Sequence, residues 1–193
     1  MVTFFQRLGA YFIDILILSL LLGIVGYGLP DNTEDVTDKM GVLEEKLVNN
    51  EISPEDYLKE YYVLLYDVQS SSKLANGISL VLTIAYFVVF QALYNGQTLG
   101  KKLLKIKVVN NDNNPASMLQ MLIRSLFTMS ILSSLLGIVL LFILSKNAYI
   151  YSYLGVISIE SLFIIITIMF ILYRKDKRGL HDVIARTMVV KEG

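Results

Sequence analysis

Four long apolar stretches constrain this chain more than any other feature of its sequence. They cover about 8–29, 75–94, 117–144 and 150–173, and 54% of the 193 residues are hydrophobic. A helix needs about 20 consecutive apolar residues to cross the hydrocarbon core of a bilayer, and each stretch reaches that length. The sequence therefore predicts an all-α polytopic membrane protein with four transmembrane helices in a single membrane domain, 1–193.

The charged residues are segregated between the connecting segments, although the net charge is zero. Segment 31–73 contains eleven Asp or Glu residues and four Lys residues, whereas the 95–116 loop and the 174–193 tail are basic. Lys and Arg collect in cytoplasmic loops of membrane proteins. We therefore expect both termini in the cytoplasm and the acidic 31–73 insertion on the outside.

Two of these connections also contain signals of regular structure. Apolar residues at helical spacing predict amphipathic helices over 34–49 and 54–69, folded as a hairpin, with Ser53 as the N-cap and Pro54 at the first helical position. In the basic loop, alternation over 105–109 followed by a turn cluster predicts a short strand, so a small cytoplasmic β pairing is a further expectation.

Composition excludes several classes of protein. The chain has no cysteine and one histidine, which excludes disulfides, thiolate metal sites and a His-rich metal site within one chain. Neither a glycine-rich phosphate loop nor a nucleophile elbow occurs, and no nucleophile–base pair is evident. We expect no enzyme, no metal, no cofactor and no nucleic-acid partner.

Charged residues inside the apolar stretches are the candidate functional residues. Asp14 lies within the first stretch, and Arg7 lies seven residues earlier, close to two helical turns or about 10 Å along the axis. Arg124 lies near the start of the third stretch, and Asp182 follows the last. All four should meet at the cytoplasmic side, where an arginine fork suits a carboxylate. Such a cluster is an ion or proton path, a static structural clasp or a site for lipid headgroups.

Glu160 and His181 are two further ionisable candidates. Glu160 lies in the middle of the fourth stretch, well into the outer half, and that stretch contains no Lys or Arg. An unpaired carboxyl there suits proton exchange or cation binding, or a structural hydrogen bond to another helix. His181 has the only side chain whose ordinary pKa is near neutral, so it is either a pH sensor or a turn residue.

The order of these residues resembles the RDD family of bacterial membrane proteins, which is named for one arginine and two aspartates. Arg7 resembles the family arginine at the start of the first helix, and Asp14 and Asp182 resemble the two aspartates. The Gly-Gln-Thr-Leu-Gly-Lys element is present, and Arg124 corresponds to an arginine that opens the next span. The motif positions outside the four charged residues are Gly96, Gln97, Thr98, Gly100, Lys101, Gly179 and His181.

The resemblance implies a multi-pass protein of the bacterial cytoplasmic membrane, in which the 31–73 hairpin is a variable insertion. Transport, including cation/proton antiport, has been suggested for the family. We therefore expect a small transporter that exchanges a monovalent cation for protons, with a homodimer to provide room for a pathway. Its partners would be the bilayer, anionic lipids, cations and protons. The alternative is a non-transporting scaffold in which the Arg/Asp cluster is a clasp.

Overall fold

The computed structural model describes residues 2–29 and 33–192 and is mostly helical. The beginning of the predicted 31–73 insertion and the last residue of the tail lie outside these ranges. In chain order the elements are α1 (Phe4–Tyr27), α2 (Glu34–Val48), α3 (Pro54–Ser71), α4 (Lys73–Ile84), a π-helical segment (Ala85–Phe90), α5 (Gln91–Leu93), α6 (Leu99–Leu103), β1 (Ile106–Asn110), α7 (Met118–Thr128), α8 (Ile131–Ile143), α9 (Lys146–Tyr173), α10 (Leu180–Ile184) and β2 (Thr187–Lys191).

Three helical stretches of the described chain are long and apolar enough to cross a membrane. They are α1, the continuous run Lys73–Leu93, and α9. Large apolar side chains on these helices face outward, such as Ile24 at 74% and Ile159 at 70% exposed. Apolar surface of this extent on several helices requires an apolar environment, which a bilayer provides.

The third predicted span is broken rather than continuous. It consists of α7 and α8, which are bent by 72° at Met129–Ser130. Ser130 has the left-handed φ of 52°, and the Thr128 hydroxyl donates to the carbonyl of Arg124 at 2.9 Å. Hydroxyl groups that bond to helix carbonyls bend helices, whereas an apolar run predicts only length. The pair therefore forms a fourth crossing only if the two helices are counted together.

Helices α2 and α3 form the predicted hairpin and pack against each other. Ser53 caps α3, since its hydroxyl accepts from the Asp56 amide at 3.1 Å. The hairpin is fastened to α9 through Asp67, whose carboxylate accepts from the Lys146 ammonium at 2.7 Å. We call this end of the bundle the hairpin side, and the opposite end, where α1 begins and β2 ends, the tail side.

A two-stranded antiparallel sheet lies at the tail side and joins the basic loop to the tail. Strands β1 and β2 pair with Val108 opposite Val189. Val108 is fully buried, in a cluster of apolar residues that includes Val2, Ala10 and Met121. The predicted β pairing is confirmed. It places the 96–101 segment before β1 and the 179–182 segment before β2 against the ends of α1 and α7.

Candidate functional site

Asp182 in α10 is the centre of a buried ion network. Its Oδ2 accepts from Arg7 Nη1 at 2.6 Å, and its Oδ1 lies 3.2 Å from Arg124 Nη2. The carboxyl group also accepts from the Gly179 amide at 3.2 Å and from the Thr187 hydroxyl at 3.4 Å. Since Asp182 is 0% exposed, this network closes the tail onto α1 and α7 across the whole length of the sequence.

The electrostatics around Asp182 favour a permanent negative charge on it and a neutral His181. Burial alone would raise the pKa of the Asp182 carboxyl, but the adjacent charges of Arg124 and Arg7 outweigh it and hold that pKa below its ordinary value. Burial lowers the pKa of His181 to about 4, although Asp182 acts in the opposite direction. Asp182 is therefore a fixed anion, and His181 is uncharged at neutral pH.

Asp14 in α1 forms a second, different centre. Its Oδ1 accepts from the Tyr86 hydroxyl at 2.7 Å and from the Gly100 amide at 2.8 Å, and its Oδ2 accepts from the Thr98 hydroxyl at 2.5 Å. The Lys101 ammonium is 4.0 Å from Oδ2. Asp14 is 0% exposed, so neutral donors and one nearby cation stabilise its carboxyl group.

The loop motif explains how α6 approaches Asp14 so closely. Thr98 caps α6, because its hydroxyl accepts from the Lys101 amide at 3.4 Å. A Cβ at Gly100 would collide with the Ala10 carbonyl oxygen and lie 2.8 Å from Asp14 Oδ1, so only glycine allows this contact. Gly96 has a φ of +84° and packs on the backbone of Val108, which anchors the other end of the motif to β1.

Gln97 and Lys101 complete the arrangement of the loop. The Gln97 amide donates to the Ile106 carbonyl at 3.1 Å and holds the loop against β1. Burial lowers the pKa of Lys101 to about 8, with Arg124 acting in the same direction and Asp14 opposing it. The pKa of Lys101 therefore lies closer to physiological pH than that of an exposed lysine.

A cavity of about 240 Å³ lies at the tail side between the two aspartate centres. Its wall combines ionisable side chains with apolar side chains from α1 and α9, among them Leu8, Tyr11, Ile164 and Ile168. The acidic and basic side chains on the wall are Arg7, Asp14, Lys101, Arg124 and His181.

A second cavity, of about 160 Å³, lies toward the hairpin side. Its wall is formed mainly by neutral polar side chains, including Gln69, Asn76 and Tyr153. Met129 lines both cavities, and it lies at the break between α7 and α8. The two cavities are thus neighbours on either side of one methionine.

Glu160 lies on α9, two turns beyond Tyr153. It is partly buried, and its Oε1 has no hydrogen-bond partner among the described residues. It does not line either of the two cavities.

The structure separates the four predicted charged residues into two centres. All four lie at the tail side, and Arg7, Asp14 and Arg124 line one cavity, but both arginines bind Asp182 rather than Asp14. Tyr86 was not predicted from the sequence. The π-helical segment aims it at Asp14, and its hydroxyl also accepts from the Leu99 amide at 3.2 Å. A tyrosine inside an apolar span, whose hydroxyl needs a partner, is the signal that could have found it.

These features define a multi-pass membrane protein in which a loop and a tail on one side are tied into the helical bundle through two buried aspartates. A family model described as RDD family matches residues 1–186, and the chain belongs to this family. Neither the comparison with curated proteins nor the comparison with solved structures gives a match.

Proposed function

We propose that this protein is a small transporter of the cell membrane that exchanges a monovalent cation for protons. The observation that carries the proposal is the pair of cavities that adjoin at Met129, where the span formed by α7 and α8 is broken. Non-helical backbone at membrane depth is tolerated where it is buried in protein or lines a cavity, and broken helices form ion sites in transporters.

The exchanging pair in this proposal is Asp14 and Lys101. Both line the tail-side cavity, and their charged atoms are 4.0 Å apart. When Lys101 releases its proton to water, Asp14 loses its counter-charge and a monovalent cation can take that place. The cation leaves when Lys101 is protonated again. One positive charge replaces another, so the total charge of the cavity stays constant through the cycle.

The remaining site residues have supporting roles. Asp182, held by Arg7 and Arg124, keeps the tail in place at the inner end. Glu160 is the second exchanging carboxyl, toward the hairpin side. The basic loop and tail favour a cytoplasmic tail side, in a bacterial cytoplasmic membrane, with the acidic hairpin outside. A homodimer would widen the pathway beyond what these helices provide alone.

The second candidate function is a membrane scaffold without transport. The observation that favours it is the Asp182 network, which locks the tail to α1 and α7 in the way that a static clasp would. In this case Asp14 would have the same structural role for the basic loop, and the hairpin would be free to bind a partner protein.

Ion flux in proteoliposomes tests the first function against the second. Purified protein would be given a pH gradient, and a pH-sensitive dye would report proton movement on addition of Na⁺, K⁺ or Li⁺. We expect flux with at least one ion, and faster exchange as the pH at the tail side rises through about 8, where Lys101 loses its proton. If folded wild-type protein gives no flux with any of these ions, the result would contradict cation/proton exchange and favour the scaffold function.

A matched pair of lysine variants sharpens the test. Arginine keeps the positive charge but does not release its proton, so Lys101→Arg should abolish exchange while preserving the fold. Lys102→Arg is the control, because Lys102 is exposed on the same short helix. Exchange that survives Lys101→Arg would rule out Lys101 as the proton carrier.

A further inference from the structure

The tail-side cavity has more buried donors than its own acceptors can satisfy. Arg7 Nη1 and Arg124 Nη2 bind Asp182, but Arg7 Nε and Arg124 Nη1 are buried without a partner among the described residues. The hydroxyl of Thr167 on the same wall is also buried and unpaired. Arg124 is 8% exposed, so bulk water does not compensate for the missing bonds. Buried polar groups are nearly always hydrogen-bonded, and these donors indicate a missing acceptor.

The charge balance of the cavity wall indicates that the acceptor is an anion. The side chains on the wall, together with Asp182 behind them, comprise three cations and two anions. The cations are Arg7, Lys101 and Arg124, and the anions are Asp14 and Asp182. A buried surplus of positive charge is costly without a counter-ion. The planar guanidinium groups match the oxygen atoms of a phosphate or carboxylate.

The opening of the cavity indicates what carries the anion. Leu8 and Tyr11 on α1 and Ile164 and Ile168 on α9 line the cavity, and each is also 37–47% exposed on the apolar outer surface. Helix α1 packs mainly on α6 and α4, whereas α9 packs on α8, α3, α10 and α7. The cavity is thus continuous with the surface that faces the acyl chains, between two membrane-crossing helices.

We infer that the tail-side cavity binds the headgroup of an anionic phospholipid, with its phosphate between Arg7 and Arg124 and its acyl chains along α1 and α9. The phosphate would accept from the spare guanidinium N–H groups and the Thr167 hydroxyl. It would also bring the charge of the cavity to neutral. Basic pockets between membrane helices are a known mode of headgroup recognition. This binding does not require that the protein transport an ion.

Lipid binding to the purified full chain in detergent tests the inference. Phosphatidylglycerol is the anionic probe and phosphatidylcholine the zwitterionic control, with bound lipid counted by native mass spectrometry. We expect phosphatidylglycerol to bind at least about tenfold more tightly, equivalent to about 1.4 kcal/mol. Equal binding of the two lipids would overturn the inference.

Two kinds of variant locate the lipid. Arg124→Lys keeps a positive charge beside Asp182 but removes the spare N–H, and should weaken phosphatidylglycerol binding about tenfold. Ile164→Trp should fill the opening and abolish specific binding, whereas Ile165→Trp should not, because Ile165 is 56% exposed and does not line the cavity. The tryptophan pair does not touch Asp182, so it decides the question even if Arg124→Lys fails to fold.

A competition experiment separates the two sources of a phosphate group. Inorganic phosphate is added to protein loaded with phosphatidylglycerol. We expect that phosphate at the same concentration as the lipid does not displace phosphatidylglycerol, because a free anion makes no contact with the apolar part of the opening. Saturable binding of phosphate, together with equal binding of the two lipids, would assign the site to a soluble anion. That result would overturn the inference that the cavity binds a phospholipid. Identical lipid binding by the two tryptophan variants would place the lipid elsewhere.

Discussion

Asp14 and Asp182 are both fully buried at the tail side, yet their surroundings differ in kind. Asp182 is ion-paired to two arginines, which remain charged at any physiological pH. Asp14 is held by two hydroxyl groups and one amide, with Lys101 at 4.0 Å as its cation. The first arrangement fixes a charge in one place, whereas the second leaves a carboxylate whose counter-charge can leave. Asp182 thus lies in a fixed ion pair, whereas Asp14 is a buried carboxylate held mainly by neutral donors.

The difference also has an energetic side. An arginine without its buried carboxylate is an uncompensated buried charge, whereas a hydroxyl without a carboxylate can turn to another acceptor. The two centres should therefore respond unequally to the same substitution.

The largest effect is expected from neutralising the two aspartates in turn. Asp182→Asn leaves Arg7 and Arg124 without a counter-charge and should destabilise the fold by about 3–5 kcal/mol. Asp14→Asn keeps one oxygen that can accept from Tyr86 and Gly100, and Lys101, whose pKa is lowered to about 8, can release its proton, so this variant should cost only about 1–2 kcal/mol. Thermal unfolding of the purified protein in detergent measures both. A folded Asp182→Asn protein beside an unfolded Asp14→Asn protein would reverse the assignment of the two centres.

Acid should weaken the Asp182 centre through His181. The pKa of His181 is about 4 in the folded protein, below its ordinary value of 6.5, so the unfolded chain binds the proton more readily. Stability is therefore complete above about pH 6.5 and falls as the pH drops toward 4, by about 3 kcal/mol at most.

The melting temperature measures this loss of stability. It should fall by about 5–10 °C between about pH 7 and about pH 4.5. His181→Gln should remove most of that fall, because glutamine does not titrate. The same acid sensitivity in the variant would assign it to other groups.

The close approach of α6 to Asp14 predicts an effect of one methyl group. Gly100→Ala places a Cβ against the Ala10 carbonyl and Asp14, and should cost about 1–3 kcal/mol as the helices separate. Gly155→Ala is the control, since a Cβ there meets nothing within 4 Å. Equal melting temperatures for the two variants would show that α6 does not pack on α1 as described.

The smallest effect concerns one hydroxyl group at each centre. Tyr86→Phe removes the 2.7 Å bond to Asp14 and should cost about 1–2 kcal/mol. Thr187→Val removes the longer 3.4 Å bond to Asp182 and should cost less, because the arginines remain. Melting temperatures of the two variants measure the difference, and a greater loss with Thr187→Val would contradict the contrast between the centres.

Sequence reasoning predicted local features well and pairings poorly. Ser53 and Pro54 marked the start of α3, and apolar runs marked the long helices, because each depends on neighbours in the chain. The break at Met129–Ser130 was missed, because hydropathy measures length and not continuity. The sequence left open which carboxylate Arg7 binds, since helical spacing places Arg7 and Asp14 on one face of α1 but does not show which residues pack against that face.

The sequence by itself determined that the protein is a multi-pass membrane protein, that it contains the family motifs, and which charged side chains need a partner when they are buried. These follow from transfer free energies and local backbone preferences, which depend on residue type and near neighbours. Only the tertiary structure decided which carboxylate each cation binds, that Tyr86 completes the Asp14 centre, and that two cavities adjoin at Met129. Such choices depend on how distant segments pack, because a buried charge takes the partner that the fold brings within a few ångströms.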